Sequence, residues 1–149
     1  MPSRDDIFKA AKALCSDFAS GKASNGLLAN FTSSPSVYEH GNDRLAPYMG
    51  RAFTGKEEVG RYFDNIAELL EFSDVHFSDN DYVIDPESLK VAVRGRAKIT
   101  WRENGQAWDE SFMYLLGFAT EDDAIKCNKY EVWADTGSAY LAANGKLEK

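Results

Sequence analysis

Apolar residues recur at Ile7, Ala10, Ala11, Leu14, Cys15 and Phe18, the three-and-four spacing of one helix face. Ser3 precedes the run and Asp6 stands three residues on, so the spacing predicts a capped helix over about 4–20, with Gly21 as its stop. Ser24 and Asn25 open a second, short helix through Leu27, Leu28 and Phe31, ended by Ser33, Ser34 and Pro35. Residues 36–40 read as extended, and 41–54 as a loop carrying Gly41, Asn42, Asp43, Pro47 and Gly50. Thr54 then opens a third helix with a stripe of Val59, Tyr62, Phe63, Ile66, Leu69 and Leu70.

After Ser73 the period changes to two. Val75 and Phe77 begin a strand, 82–84 continue it, and Asp85-Pro86-Glu87-Ser88 is a turn. Leu89, Val91, Val93, Ala97, Ile99 and Trp101 then alternate with Lys90, Arg94, Arg96, Lys98, Thr100 and Arg102, which predicts a long strand with one buried and one basic side. Asn104-Gly105 marks a hairpin turn, 107–118 a return strand and 124–133 a last strand, after which the tail beyond Ala143 is expected to fray. The return strand carries Trp108, Phe112, Tyr114, Leu116 and Phe118 on one parity and Met113 and Leu115 on the other. A strand apolar on both sides is covered on both sides, one face by helices and pocket, the other by a second copy of the chain. The expectation is therefore a homodimer through the outer sheet face. Helices first and a strand meander after them predict one α+β domain over 1–149, core about 4–140, with three N-terminal helices packed in a strongly curved mixed or antiparallel sheet.

The chain carries a net charge of -7 over 149 residues. That balance repels phosphate backbones and anionic bilayers, which argues against nucleic-acid and membrane partners. No stretch approaches the ~20 apolar residues of a membrane span, so a cytoplasmic protein is expected. Cys15 and Cys127 lack metal-ligand spacing and read as reduced, buried fillers, and His40 and His76 are too few for a metal site. With no phosphate-binding glycine loop and no Ser-His-Asp order, neither a cofactor nor a metal is expected.

The extended 36–40, the segment Gly50-Arg51-Ala52-Phe53-Thr54-Gly55-Lys56-Glu57-Glu58-Val59, and the closing Tyr130-Glu131-Val132-Trp133-Ala134-Asp135 occur in an order that resembles the nuclear transport factor two-like superfamily, above all its SnoaL-like branch. The resemblance implies a cone, a bent sheet curled round helices with a cavity at one end. It also implies a range of roles: ketosteroid isomerase, scytalone dehydratase, limonene epoxide hydrolase, polyketide cyclases and non-catalytic binding modules share that cone, so fold alone does not fix function.

Carried over residue by residue, the resemblance puts His40 where SnoaL-like proteins hold a pocket histidine, and a near-neutral imidazole suits proton transfer beside a carbonyl. Glu39 is the alternative base; neighbours in a strand face opposite ways, and His40 is expected inward with Tyr38. Tyr114 lies near the isomerase's oxyanion-binding acid and suits that hydrogen bond. Leu14 stands near the isomerase's helix tyrosine, a departure that weakens a steroid-isomerase assignment. Arg96 matches the epoxide hydrolases' Arg-x-Asp motif but Lys98 replaces its Asp, which argues against that mechanism. Asn128 and Tyr130 share the parity of Val132 and are expected to orient a substrate. Tyr38, Tyr48, Phe53, Phe63, Trp101 and Trp108 are the expected ligand-binding aromatics.

These residues imply a cofactor-independent lyase, isomerase or cyclase that moves protons on an apolar carbonyl compound of polyketide or terpenoid type. A non-catalytic ligand-binding or dimerisation module is the alternative. A cavity of ~300 Å³ or more with His40 pointing in favours the enzyme, and one filled by Trp101, Phe112 or Tyr130 favours the module.

Overall fold

The computed structural model describes residues 1–147. Its helices are α1 (Arg4–Ala19), α2 (Ser24–Leu28), α3 (Gly55–Leu69) and α4 (Thr136–Ala143). Its strands are β1 (Phe31–His40), β2 (Ala52–Thr54), β3 (Leu70–His76), β4 (Tyr82–Asp85), β5 (Lys90–Trp101), β6 (Ala107–Glu121) and β7 (Ala124–Trp133). One open sheet has the order β2-β1-β7-β6-β5-β3, and β4 takes the part of the β5 edge that β3 leaves free. Every pair is antiparallel except β1 and β7, which run parallel.

Local chemistry explains the strongest elements. Ser3 Oγ accepts from the Asp6 N–H at 3.1 Å while Asp6 Oδ2 accepts from the Ser3 N–H at 3.0 Å, the reciprocal cap expected for α1. In β5 the alternation is kept: Val91, Val93, Ala97, Ile99 and Trp101 are buried, and Lys90, Arg94, Arg96 and Lys98 are exposed. Gly95 sits among the inward positions of that strand. A Cβ there would lie 2.5 Å from the Phe112 ring and 2.6 Å from Phe77, so the glycine is what lets those rings close over the strand.

Four readings need correction. Phe31 begins β1 and does not end α2. Pro35 is tolerated within β1 because the register with β7 shifts between Phe31 and Ser36, where a missing N–H costs no ladder bond. Residues 52–54, expected in the loop, form β2 against Ser36, Val37 and Tyr38. Beyond β7 the expected frayed tail is the helix α4, capped by Asp135, whose carboxylate accepts from Ser138 N–H at 2.9 Å and Ser138 O–H at 2.6 Å. The β5–β6 turn fastens this helix: Asn104 Nδ2 donates to the Ala142 carbonyl at 2.7 Å, and Leu147 N–H donates to Gln106 Oε1 at 2.9 Å. Of that tail, 148–149 lie outside the described residues.

Helices α1 and α3 lie on the concave side of the sheet. The core between them is aromatic: Phe31, Tyr62, Phe63, Phe112, Tyr114 and Tyr130 are all buried. Their rings meet in tilted and edge-on pairs, Tyr114 and Tyr130 at 4.7 Å and Tyr62 and Phe63 at 5.0 Å between centroids.

Candidate active site

Strand β1 sets the site by parity. Pro35, Val37 and Glu39 are buried, and Ser36, Tyr38 and His40 lie on the other side. Val37, 1% exposed, locks the orientation, since a one-residue slip would put it in water. Glu39 therefore points into the molecule, where it is 5% exposed. The Tyr62 hydroxyl donates to its Oε1 at 2.6 Å. Burial pushes its carboxyl up to about 8; the Tyr62 hydrogen bond opposes the shift and the charge of Glu110 adds to it.

Strand β6 supplies the second carboxyl. Glu110 shares its parity with Trp108, Phe112 and Tyr114 and is 9% exposed. Trp108 Nε1–H donates to Glu110 Oε1 at 2.7 Å, and the Asp135 N–H lies 3.5 Å from Oε2. Burial raises this carboxyl above the ordinary glutamate range, against the pull of Trp108.

Glu39 and Glu110 line one chamber of about 40 Å³, room for very few waters. Tyr48, Tyr62, Trp108, Phe112, Tyr114 and Tyr130 wall it. The loop after β1 brings in Tyr48 and Met49, and the Gly50 N–H donates to the Glu39 carbonyl at 2.9 Å, fastening that loop. Gly50 has φ +72 and packs against the Gly41 carbonyl, a place only glycine takes without strain. Asp135 and Ala139 close the end under α4. Among the described residues no Lys, Arg or His lines the chamber, so neutral donors, the two buried carboxyls and the exposed carboxyl of Asp135 at its end set its chemistry. Among the described residues no three His, Cys, Asp or Glu side chains gather to hold a metal ion.

Of the residues expected at the site, Tyr48, Trp108, Tyr114 and Tyr130 are chamber walls. Burial raises the phenols of Tyr48, Tyr114 and Tyr130 above the ordinary range, so all three are neutral donors at physiological pH. His40 is not in the chamber; the inward position belongs to Glu39. His40 stacks on Trp133 on the outer face, with ring centres 4.3 Å apart, and its Nε2 lies 3.0 Å from Glu131 Oε2. That contact, first among several, holds the Glu131 carboxyl below the ordinary glutamate range. Tyr38 goes outward with it. Asn128 is exposed, because Gly117 pairs with Lys129 and Phe118 with Cys127, which leaves Asn128 as the extra residue of a bulge and breaks its parity with Tyr130. Phe53, Phe63 and Trp101 are buried core outside the chamber.

Glu110 is the candidate site residue that sequence reasoning missed. Its signal is a lone carboxylate at even spacing among Trp108, Phe112 and Tyr114.

No protein-family model matches the sequence, and no curated protein matches it either. Solved structures do match. A nuclear transport factor two-like protein of unknown function from Burkholderia pseudomallei superposes with a TM-score of 0.76 at 14% identity, covering 92% of this chain and 96% of that one. A ketosteroid isomerase-like protein from Erwinia carotovora atroseptica gives 0.69 at 15% identity over 88% of this chain and 95% of its own. TerC, co-crystallised with polyporic acid, gives 0.71 at 14% identity over 97% and 99%.

Proposed function

We propose that this chain, which has the nuclear transport factor two-like fold, is a cofactor-independent isomerase of small apolar carbonyl compounds that works through the carboxyl pair Glu39 and Glu110. One observation carries the reading: two buried carboxyls face one aromatic chamber that no cation of the described residues lines, each held by a neutral donor. A pair so placed shares protons unequally, because ionising one raises the proton affinity of the other. Glu39, with its carboxyl pushed up to about 8, is the acid at neutral pH. Glu110, with the Trp108 N–H on its carboxylate, is the base.

The chemistry follows from those roles. Glu110 takes a proton from the carbon next to the carbonyl, and Glu39 gives its proton to the carbonyl oxygen, leaving a neutral enol. Return of the Glu110 proton to a different carbon and of the oxygen proton to Glu39 completes an isomerisation with no net change in protons or electrons. Tyr114 and Tyr130 stand ready as further donors to the oxygen. A positioned acid or base contributes about 10²–10⁴-fold. In D₂O, α-deuteration of a cyclic enone followed by NMR is expected to fall by that factor in Glu39→Gln and in Glu110→Gln, and to be unchanged in His40→Ala. Wild-type exchange in both glutamine variants would remove the mechanism.

The small chamber favours a second reading. Phe112 and Tyr130 wall a chamber of only about 40 Å³, and His40 points outward, the arrangement expected of a non-catalytic binding module. Ligand binding without deuteration in the same assay would select it.

Either role fits a homodimer. On the outer face Met113 is 40% exposed and lies opposite Trp133, 43% exposed. Tyr38 and Leu115 flank the same strands, and a second copy laid on them removes that apolar surface from water. No helix of the described residues is long and apolar enough to cross a membrane.

A further inference from the structure

The carboxyl chamber holds about 40 Å³, so a ring compound enters only when a wall moves. Two walls are firmly set. Strand β6, which carries Glu110, is laddered to β5 on one side and to β7 on the other. The loop that brings in Tyr48 and Met49 buries both side chains and is tied through the Gly50 N–H to the Glu39 carbonyl.

Helix α4, which closes the end of the chamber with Asp135 and Ala139, is held differently. The side chains it buries are Ala139 and Ala142, whereas its two large ones, Tyr140 and Leu141, are 55% and 40% exposed. No ion pair among the described residues reaches it. Its far end hangs on two hydrogen bonds to the β5–β6 turn, Asn104 to the Ala142 carbonyl and Leu147 N–H to Gln106. Eight residues are too few for a helix to persist without packing. Gly137 in its first turn lowers its propensity further, although a Cβ there would meet nothing nearer than 3.6 Å. The segment with the fewest ties opens first.

We propose that α4 is the gate of the carboxyl chamber: it unwinds when its two ties to the β5–β6 turn break, admits a single-ring carbonyl compound or phenol to Glu39 and Glu110, and rewinds to close. Seated, it shuts water out and brings the Asp135 N–H to 3.5 Å from Glu110 Oε2, while the Asp135 carboxylate is turned back onto Ser138. The proposal rests on the chamber being a small-molecule site and adds how that site is entered.

Asn104 and Gln106 do not line the chamber, so replacing both by alanine loosens α4 without touching the carboxyls. Two measurements scale with the open fraction. One is hydrogen exchange of the Ala139, Asn144 and Gly145 amides, which bond within α4 and its cap. The other is stopped-flow association of 4-nitrophenol at pH 6, followed by its absorbance. The double variant is expected to raise both about tenfold or more, in the same ratio, with the β5–β6 amides unchanged. Gly137→Ala is expected to lower both about fivefold. Gln106→Glu, which keeps an acceptor for Leu147, is expected to match wild type.

Faster exchange in α4 without faster association overturns the gate and leaves the chamber reading intact, since ligand then enters elsewhere. Unchanged exchange in the double variant overturns the two ties. Should the β5–β6 amides also speed up, the variant is loosened throughout and Gly137→Ala decides: slower association supports the gate, and unchanged association overturns it. Failure of wild type and every variant to bind 4-nitrophenol overturns the chamber reading and the gate together.

Discussion

At neutral pH Glu39 keeps a proton that an exposed glutamate would have lost, and that sets how the protein responds to pH. Its folded-state value is raised from 4.5 to about 8. The folded state therefore binds the proton more tightly than the unfolded chain. The resulting stability is complete below about pH 4.5 and is lost as pH rises through about 8. At about 1.4 kcal/mol per unit the loss is on the order of a few kcal/mol after relaxation of the site. Urea unfolding at pH 5 and at pH 8 should show wild type losing stability across that window while Glu39→Gln, a permanently neutral mimic, loses much less; parallel slopes would refute the assignment. The inward turn of Glu39 was legible in principle. Val37 is the one aliphatic residue of 36–40, and whatever shares its parity faces the core. His40 drew attention because histidine suits the chemistry, but burial in a strand is decided by the aliphatic neighbour and not by reactivity. Glu110 was legible by the same rule. Asn128 was not, because a bulge leaves no mark in the spacing of the strand that carries it.

Among the elements, β5 and its turn into β6 were the most readable, since an uninterrupted two-residue alternation and an Asn-Gly pair leave one solution. Strand β2 and helix α4 were not. Three residues cannot show a period, and Thr136-Gly137-Ser138 is a weak opening for a helix that tertiary contacts hold in place. Gly95 shows why element and packing are inseparable here. Alanine at that position suits a strand better in isolation, yet its Cβ would stand 2.5 Å from Phe112. Gly95→Ala is therefore expected to destabilise by about 1–3 kcal/mol, through displacement of the Phe77 and Phe112 rings, in equilibrium denaturation. A neutral or stabilising result would show that the rings shift aside freely.

The whole molecule joins its first strand to its last. On the outside, that junction places Trp133, Met113 and His40 together, and replacing Trp133 and Met113 by lysine should convert a dimer into a monomer of 16.6 kDa in light scattering. A wild type already at that mass would rule out the proposed pairing. The three early helices and the curved sheet were legible as a class, because a change of period from helical to two-fold marks where layers divide. The parallel contact of β1 with β7 was not, since nothing in either strand names its neighbour. That contact bears on the order in which the protein is made. His40 and Glu131, joined across it, are separated by 91 positions. During synthesis β1 emerges with its Glu39 and can meet β2 and α3 early, but Glu110 and the β7 neighbour arrive last, so the carboxyl chamber is expected to close in the final step of folding.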